Sequence, residues 1–195
     1  MDFQRGNIVV LEGLDKAGKS TQAAALATMP WEVPPTFVHM PSGFSGATEA
    51  IYRVTETYTF ASSLGLQLLH LACHAESIPR LLDAQRASGV ILDRWWWSTV
   101  AYGWFGSNLR AELDRRHFFG AMEMVWGIVE PAVVFLFLKS YEPDPHNSPD
   151  VLAGYRWVAD RSTSPVVEVP RLAKDDATAF IVSTLRDLGI VSPDG

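Results

Sequence analysis

Gly13, Gly18, Lys19 and Ser20 stand in the spacing Gly-x-x-x-x-Gly-Lys-Ser within "LEGLDKAGKST", Leu11 to Thr21. Residues of these types at this spacing grip phosphate. Glycines let successive backbone N–H groups approach phosphate oxygens, and a helix starting behind them adds unsatisfied N–H groups and the positive end of its dipole. Lys19 supplies a mobile cation for terminal phosphates, and the Ser20 hydroxyl suits magnesium, a hard ion that takes oxygen ligands. The phosphate-binding set read from the loop is Gly13, Asp15, Lys16, Ala17, Gly18, Lys19, Ser20 and Thr21. The bland alternative is a glycine turn with a solvated lysine. Its neighbours argue against that: Asn7 to Leu11 reads as a buried strand and Thr21 to Thr28 as a helix, the setting the motif requires.

A second pair of candidates closes the apolar run "GVILDR", where Asp93 and Arg94 put opposite charges at a strand end. A carboxylate there can hold magnesium, directly or through water, or accept a proton. An arginine can clamp a phosphate with its forked donors. The plain reading of such a pair is a salt bridge capping the sheet, and a phosphate loop elsewhere in the chain weighs against it.

Positioning these residues takes an alternation of strands and helices. Strands are predicted at Asn7–Leu11, Thr36–Met40, Val90–Asp93, Ala132–Leu138 and Val166–Val169, separated by helical or loop segments. That order implies an α/β domain with a parallel sheet, right-handed crossovers and helices on both faces, with ligands at the carboxyl ends of the strands. The 195 residues, 48% hydrophobic and 19% charged, suit one soluble globular domain spanning 1–195. A net charge of −6 gives no basic field for nucleic acid or an anionic membrane. The longest apolar run after the first strand, Ala132 to Leu138, is too short to span a bilayer. Met1 to Gly6 has no secretory character, so a cytoplasmic location is expected. The single cysteine, Cys73, excludes an internal disulfide and reads as a buried small residue. Ser140 to Asp150, dense in Pro, Asp, Ser and Asn, reads as a mobile loop at the same face as the strand ends.

Three segments, "IVVLEGLDKAGKSTQ", "LQLLHLACHAES" and "GVILDRWWWSTVAYG", resemble core segments of the thymidylate kinase family in the same order, over about residues 7 to 140. The resemblance implies a P-loop fold of the nucleoside monophosphate kinase type, a five-stranded parallel sheet wrapped by helices. It also implies transfer of the γ-phosphoryl group of ATP, with magnesium, to a deoxynucleoside monophosphate, and pairing as a homodimer. By position it assigns Lys19 and Ser20 to ATP and magnesium, with Asp93 as the second metal ligand and Lys16 among the catalytic cations. Asp15 falls where the family meets the acceptor sugar, Arg94 where it grips the acceptor phosphate, and Trp95, Ser98 and Tyr102 beside the acceptor nucleoside. Ser42, after the second strand, joins the acceptor set. Trp95, Trp96 and Trp97 cannot all face one way on a helix, so at most one or two border the pocket.

The sequence departs from the family pattern in four places. Lys16 stands where many members have a loop arginine, exchanging a fork for a point charge. The stretch "MPSGFSGATEA" lacks the arginine that commonly follows the second strand. His70 and His74 replace an aromatic and an arginine that serve the base. A lid-like segment, residues 140–164, contains only Arg156 and Arg161, and one of these is expected to reach the phosphates. His70 and His74, four apart, share a helix face. If both line the pocket they favour an acceptor with more polar edge chemistry than thymine, and dTMP is expected to be poor. Two other readings stay open: a kinase of a deoxynucleoside or specialised metabolite, and a nucleotide-binding protein whose catalytic residues have drifted.

Overall fold

The computed structural model describes residues 1–192. Its centre is β2 (Ile8–Gly13), whose six residues are all buried. Such a run is what a strand covered by helices on both faces requires. Around it lies a five-stranded sheet in the order β3 (Thr36–His39), β4 (Val90–Asp93), β2, β5 (Val133–Phe137), β6 (Val166–Glu168), parallel throughout. All five predicted strands are present. A small antiparallel pair, β1 (Asp2–Phe3) with β7 (Val191–Ser192), was not anticipated, because two residues carry no periodicity.

Strand order reverses at β2, with β4 on one side and β5 on the other, so a crevice opens at its carboxyl end. Register sets what meets there: Leu11 and His39 both lie opposite Asp93, and Gly13 lies opposite Phe137. Helix α1 (Lys19–Ala27) leaves the loop after β2. Helices α2 (Gly46–Thr57) and α3 (Ser63–Ala87) connect β3 to β4 and wall one side of the crevice. After β4 comes one short turn, α4 (Trp96–Ser98), which widens into a π-helix at Thr99–Phe105. Its wider closure shows in the Gly106 N–H bonded to the Ala101 carbonyl at 2.9 Å. Single π turns of this kind cluster at functional sites. Then follow α5 (Leu109–Glu112) and α6 (Arg115–Trp126).

The lid-like segment proves to be two things. Residues 140–148 form a strap across the loop after β2. Residues Pro149–Ala159 form helix α7, capped by the Ser148 hydroxyl and buried through Val151, Gly154, Tyr155 and Val158. A methyl on Gly154 would stand 2.9 Å from the Ala101 Cα and 3.0 Å from the Phe105 side chain, so α7 is docked tightly on the π-helix. Helix α8 (Lys174–Asp187) closes the sheet near α1.

Candidate active site

The loop after β2 leaves the sheet against the end of β5. Gly13 has φ 134°, and a Cβ there would lie 2.1 Å from the Phe137 carbonyl oxygen, so only glycine fits. Gly18, at φ 95°, caps α1 in the left-handed region. Lys19 folds back under the loop, where its ammonium donates to the Leu14 carbonyl at 2.6 Å. Burial, aided by the nearby Arg94, brings its pKa down to about 7 against the pull of Asp93 and Glu12. The Ser20 hydroxyl donates to Asp93 Oδ2 at 2.7 Å, and His39 Nδ1 lies 3.3 Å from the same oxygen. Burial raises the Asp93 pKa, but the hydrogen bonds from His39 and Ser20 outweigh it and hold the carboxylate ionised. Its other oxygen, Oδ1, is enclosed without a partner. One serine oxygen and one carboxylate are the small donor set that magnesium accepts, since it completes its shell with water and phosphate oxygens. Among the described residues no cluster of three His, Cys, Asp or Glu forms a full metal cage.

Two cavities share this loop. Asp15 lines one, of about 480 Å³, together with Arg94, Ser98, Tyr102 and residues of α3. Lys16, Ala17, Gly18 and Thr21 line another, of about 390 Å³, with Tyr141 and Leu172–Ala173 beyond them. In the larger cavity Arg94, held at φ 73°, pairs with the Asp15 carboxylate and donates to Ser98 Oγ at 3.0 Å. Tyr102 receives the Asp15 N–H at 2.9 Å. Beneath them Glu12 is wholly buried, its carboxylate accepting from the N–H groups of Trp95 (2.6 Å), Ser98 (3.0 Å) and Gly13 (3.1 Å) and from Ser98 Oγ (2.7 Å). Burial raises its pKa, while the Ser98 hydrogen bond and Arg94 oppose the rise. Glu12 thereby caps the turn after β4 from the end of β2, joining the phosphate loop to the Arg94 turn.

The thymidylate kinase family model matches residues 11–142, two thirds of the chain. The chain belongs to the thymidylate kinase family. A thymidylate kinase from Pelodictyon phaeoclathratiforme is 32% identical over 112 residues, 55% of this chain and 52% of that protein. A probable thymidylate kinase from Methanosarcina barkeri is 30% identical over 139 residues, 68% of this chain and 65% of that one. The matched part thus spans between half and two thirds of these relatives' own length. The fold resembles the solved thymidylate kinase of Ehrlichia chaffeensis, with a TM-score of 0.75 at 20% identity, covering 94% of this chain and all of that one. It resembles that of Candida albicans at a TM-score of 0.64 and 18% identity, covering 97% and 96%. At such identities the structural likeness speaks for the fold alone.

Against the thymidylate kinase pattern, the other candidates fall as follows. Of the three consecutive tryptophans only Trp95 lines the larger cavity, and Trp97 is buried against it. His70 lines the same cavity, and burial lowers its pKa to about 4. His74 borders the same cavity, its Nε2 3.2 Å from Thr99 Oγ1 and its Nδ1 enclosed without a partner. Its ring packs edge-on against Trp126, a core contact. The Ser42 hydroxyl donates to the His39 carbonyl at 2.9 Å, and the residue is outside the cavity wall. Lys16 is engaged by the strap, 3.3 Å from the Pro143 carbonyl and 3.6 Å from Asp144. Neither lid arginine lines either of these two cavities. Arg156 is exposed on docked α7, and Arg161 lies over the Trp157 ring, 4.4 Å from its centroid. Sequence reasoning missed Asn147, which accepts from Asp15 N at 3.0 Å and Tyr102 Oη at 2.8 Å and donates to the Asp15 carbonyl at 2.8 Å. It also missed Gln67 and Tyr52 in the cavity wall. The one available signal was helical spacing, since Gln67 lies a turn before His70.

Proposed function

We propose that the chain transfers the γ-phosphoryl group of ATP to a deoxynucleoside monophosphate, as a cytoplasmic enzyme working as a homodimer. The observation that carries this reading is the pair of cavities sharing one phosphate loop, with Arg94 in one and Lys16 to Gly18 facing the other. The smaller cavity would take the ATP base. The larger would take the acceptor, its phosphate on Arg94 and its sugar hydroxyl on Asp15. Curated relatives named thymidylate kinase make dTMP the first acceptor to test.

Phosphoryl transfer depends on alignment and on neutralising charge, with little covalent help from the protein. Loop N–H groups and the start of α1 hold the ATP phosphates, and Lys19 leaves the Leu14 carbonyl to follow the transferring charge. Arg94, fixed by Asp15, Ser98 and the Glu12 cap beneath it, presents the acceptor phosphate to the same point. Ser20 and Asp93 would hold magnesium, which would supply charge neutralisation for the transfer. The test is magnesium-dependent ADP release across the deoxynucleoside monophosphates and the free nucleosides. Release with monophosphates supports the proposal. Release only with nucleosides, or with none, overturns it.

A further inference from the structure

We propose that a further cavity, walled by indole rings and edged by two carboxylates, binds an organic cation of the alkylated ammonium class. It encloses about 490 Å³, and Trp95, Trp96, Phe119, Glu123, Trp126 and Glu130 are in its lining. It is as roomy as the cavity assigned to the acceptor and shares with it only Trp95. With the cavity assigned to the ATP base it shares nothing.

The rings are set as walls. Trp95 meets Trp96 at 68°, centroids 5.4 Å apart, and meets Trp126 at 90° and 6.0 Å. Phe119, Glu123 and Trp126 follow one another at helical spacing, so α6 presents two rings and a carboxylate on one face. The N–H groups of Trp95 and Trp126 are enclosed, so these indoles offer the cavity ring surface in place of hydrogen-bond donors. Aromatic faces are negative and attract cations. The fold already uses neighbouring rings in this way: the Arg161 guanidinium lies 4.4 Å and that of Arg115 5.3 Å from the Trp157 centroid.

Rings alone would accept any apolar molecule, and the carboxylates select its charge. No Lys, Arg or His is in the lining. The ion pairs among the described residues engage neither Glu123 nor Glu130. Glu123 is folded over the end of α6, where a Cβ on Gly127 would stand 2.6 Å from its Oε1. A cleft lined by one sign of charge concentrates the opposite ion. Arg161 reaches an adjoining cavity, but its guanidinium is taken up by the Trp157 ring and carbonyl. A bare metal ion is a poor occupant, because it needs several converging oxygens and no group of three His, Cys, Asp or Glu forms a metal set among the described residues. An alkylated ammonium carries the charge and an apolar coat together, which suits both kinds of wall.

The probe is choline, and its control is 3,3-dimethylbutan-1-ol, which has the same shape with carbon in place of the charged nitrogen. Saturation-transfer NMR on the methyl signal of each, titrated into the full chain, gives the dissociation constants. Choline is expected to bind about tenfold more tightly than the neutral control. The Glu123→Gln, Glu130→Gln double variant, changed only at exposed positions, should erase that preference. Trp96→Leu should weaken choline about tenfold. Saturating dTMP or ADP should leave choline bound. Equal affinity for choline and the control overturns the proposal, as does failure of choline to bind. So does a preference for choline that survives in the double glutamate variant. Displacement of choline by either nucleotide would put the cation in a nucleotide cavity and overturns it too.

Discussion

With its ammonium enclosed and donating to Leu14, Lys19 gives up its proton at about pH 7, whereas the unfolded chain keeps it to 10.5. Between those values the unfolded state binds more protons, so stability rises with pH across that window and the penalty is fully present below it. Lys19→Met should therefore raise the thermal midpoint of the ligand-free protein at pH 7 and flatten its rise toward pH 10. The same variant should lower turnover by about two orders of magnitude or more, because a preorganised cation is lost. Calorimetry at several pH values beside ADP release checks both, and a variant less stable than wild type at pH 7 would contradict the first. Glu12 makes the opposite case. In Glu12→Gln an amide N–H₂ must face the N–H donors of the capped turn, at a cost of about 2–4 kcal/mol, measured by denaturant unfolding. Motif spacing singled out Lys19 and Ser20, and a charged pair at the end of an apolar run singled out Asp93. Glu12 stood visibly at a strand end, but its partners lie 83 and 86 positions away, beyond any local pattern.

Helix α3 carries two neutral histidines whose folded pKa values, about 4 for His70 and about 3 for His74, lie below the ordinary 6.5 because of burial. The unfolded chain takes up protons first as pH falls, so their contribution to stability is whole above pH 6.5 and drains away toward pH 3 to 4. A His70→Gln, His74→Gln double variant should unfold at a visibly lower pH in an acid titration followed by circular dichroism. Restoring the family residue with His74→Arg should instead cost stability, since a guanidinium would enter a core site against Trp126; a drop in Tm of at least several degrees is expected. With Arg156 exposed and Arg161 stacked on Trp157, alanine at either position should leave turnover within about twofold, whereas Gly154→Val should cost about 1–3 kcal/mol by overpacking the π-helix. The five sheet strands were legible because continuous apolar runs bounded by turn residues leave few alternatives. Helix α7 was hidden by the Pro, Asp and Ser around its Ser148 cap, residues that mark a helix start as readily as a loop. The π-helix was illegible because one extra residue in a single turn leaves no period to detect.

Across the whole molecule, the fold places two unlike cavities on one loop and ties that loop to its surroundings through Glu12 from below and through Ser140, Asp144 and Asn147 of the strap. Asn147→Ala should loosen the Asp15 peptide, which keeps Tyr102 Oη and Ser140 Oγ as partners, and raise KM for the acceptor severalfold, leaving KM for ATP near its wild-type value, as initial rates with each substrate varied in turn will show. The sheet and the phosphate loop could be argued from sequence because their residues are neighbours. The acceptor wall could not, because it is assembled from α3, the π-helix and the strap, whose juxtaposition depends on the finished sheet. The distribution of indoles over these walls has an optical consequence. Trp95 borders the acceptor cavity and contacts Trp96, Trp97 and Trp126, whereas no tryptophan lines the cavity assigned to the ATP base. An acceptor seated beside Trp95 alters the surroundings of a coupled indole cluster. A purine seated beside Tyr141 does not. The intrinsic ultraviolet emission of this chain should report acceptor occupancy while staying nearly blind to ATP, so that one native signal separates the two binding events without any label.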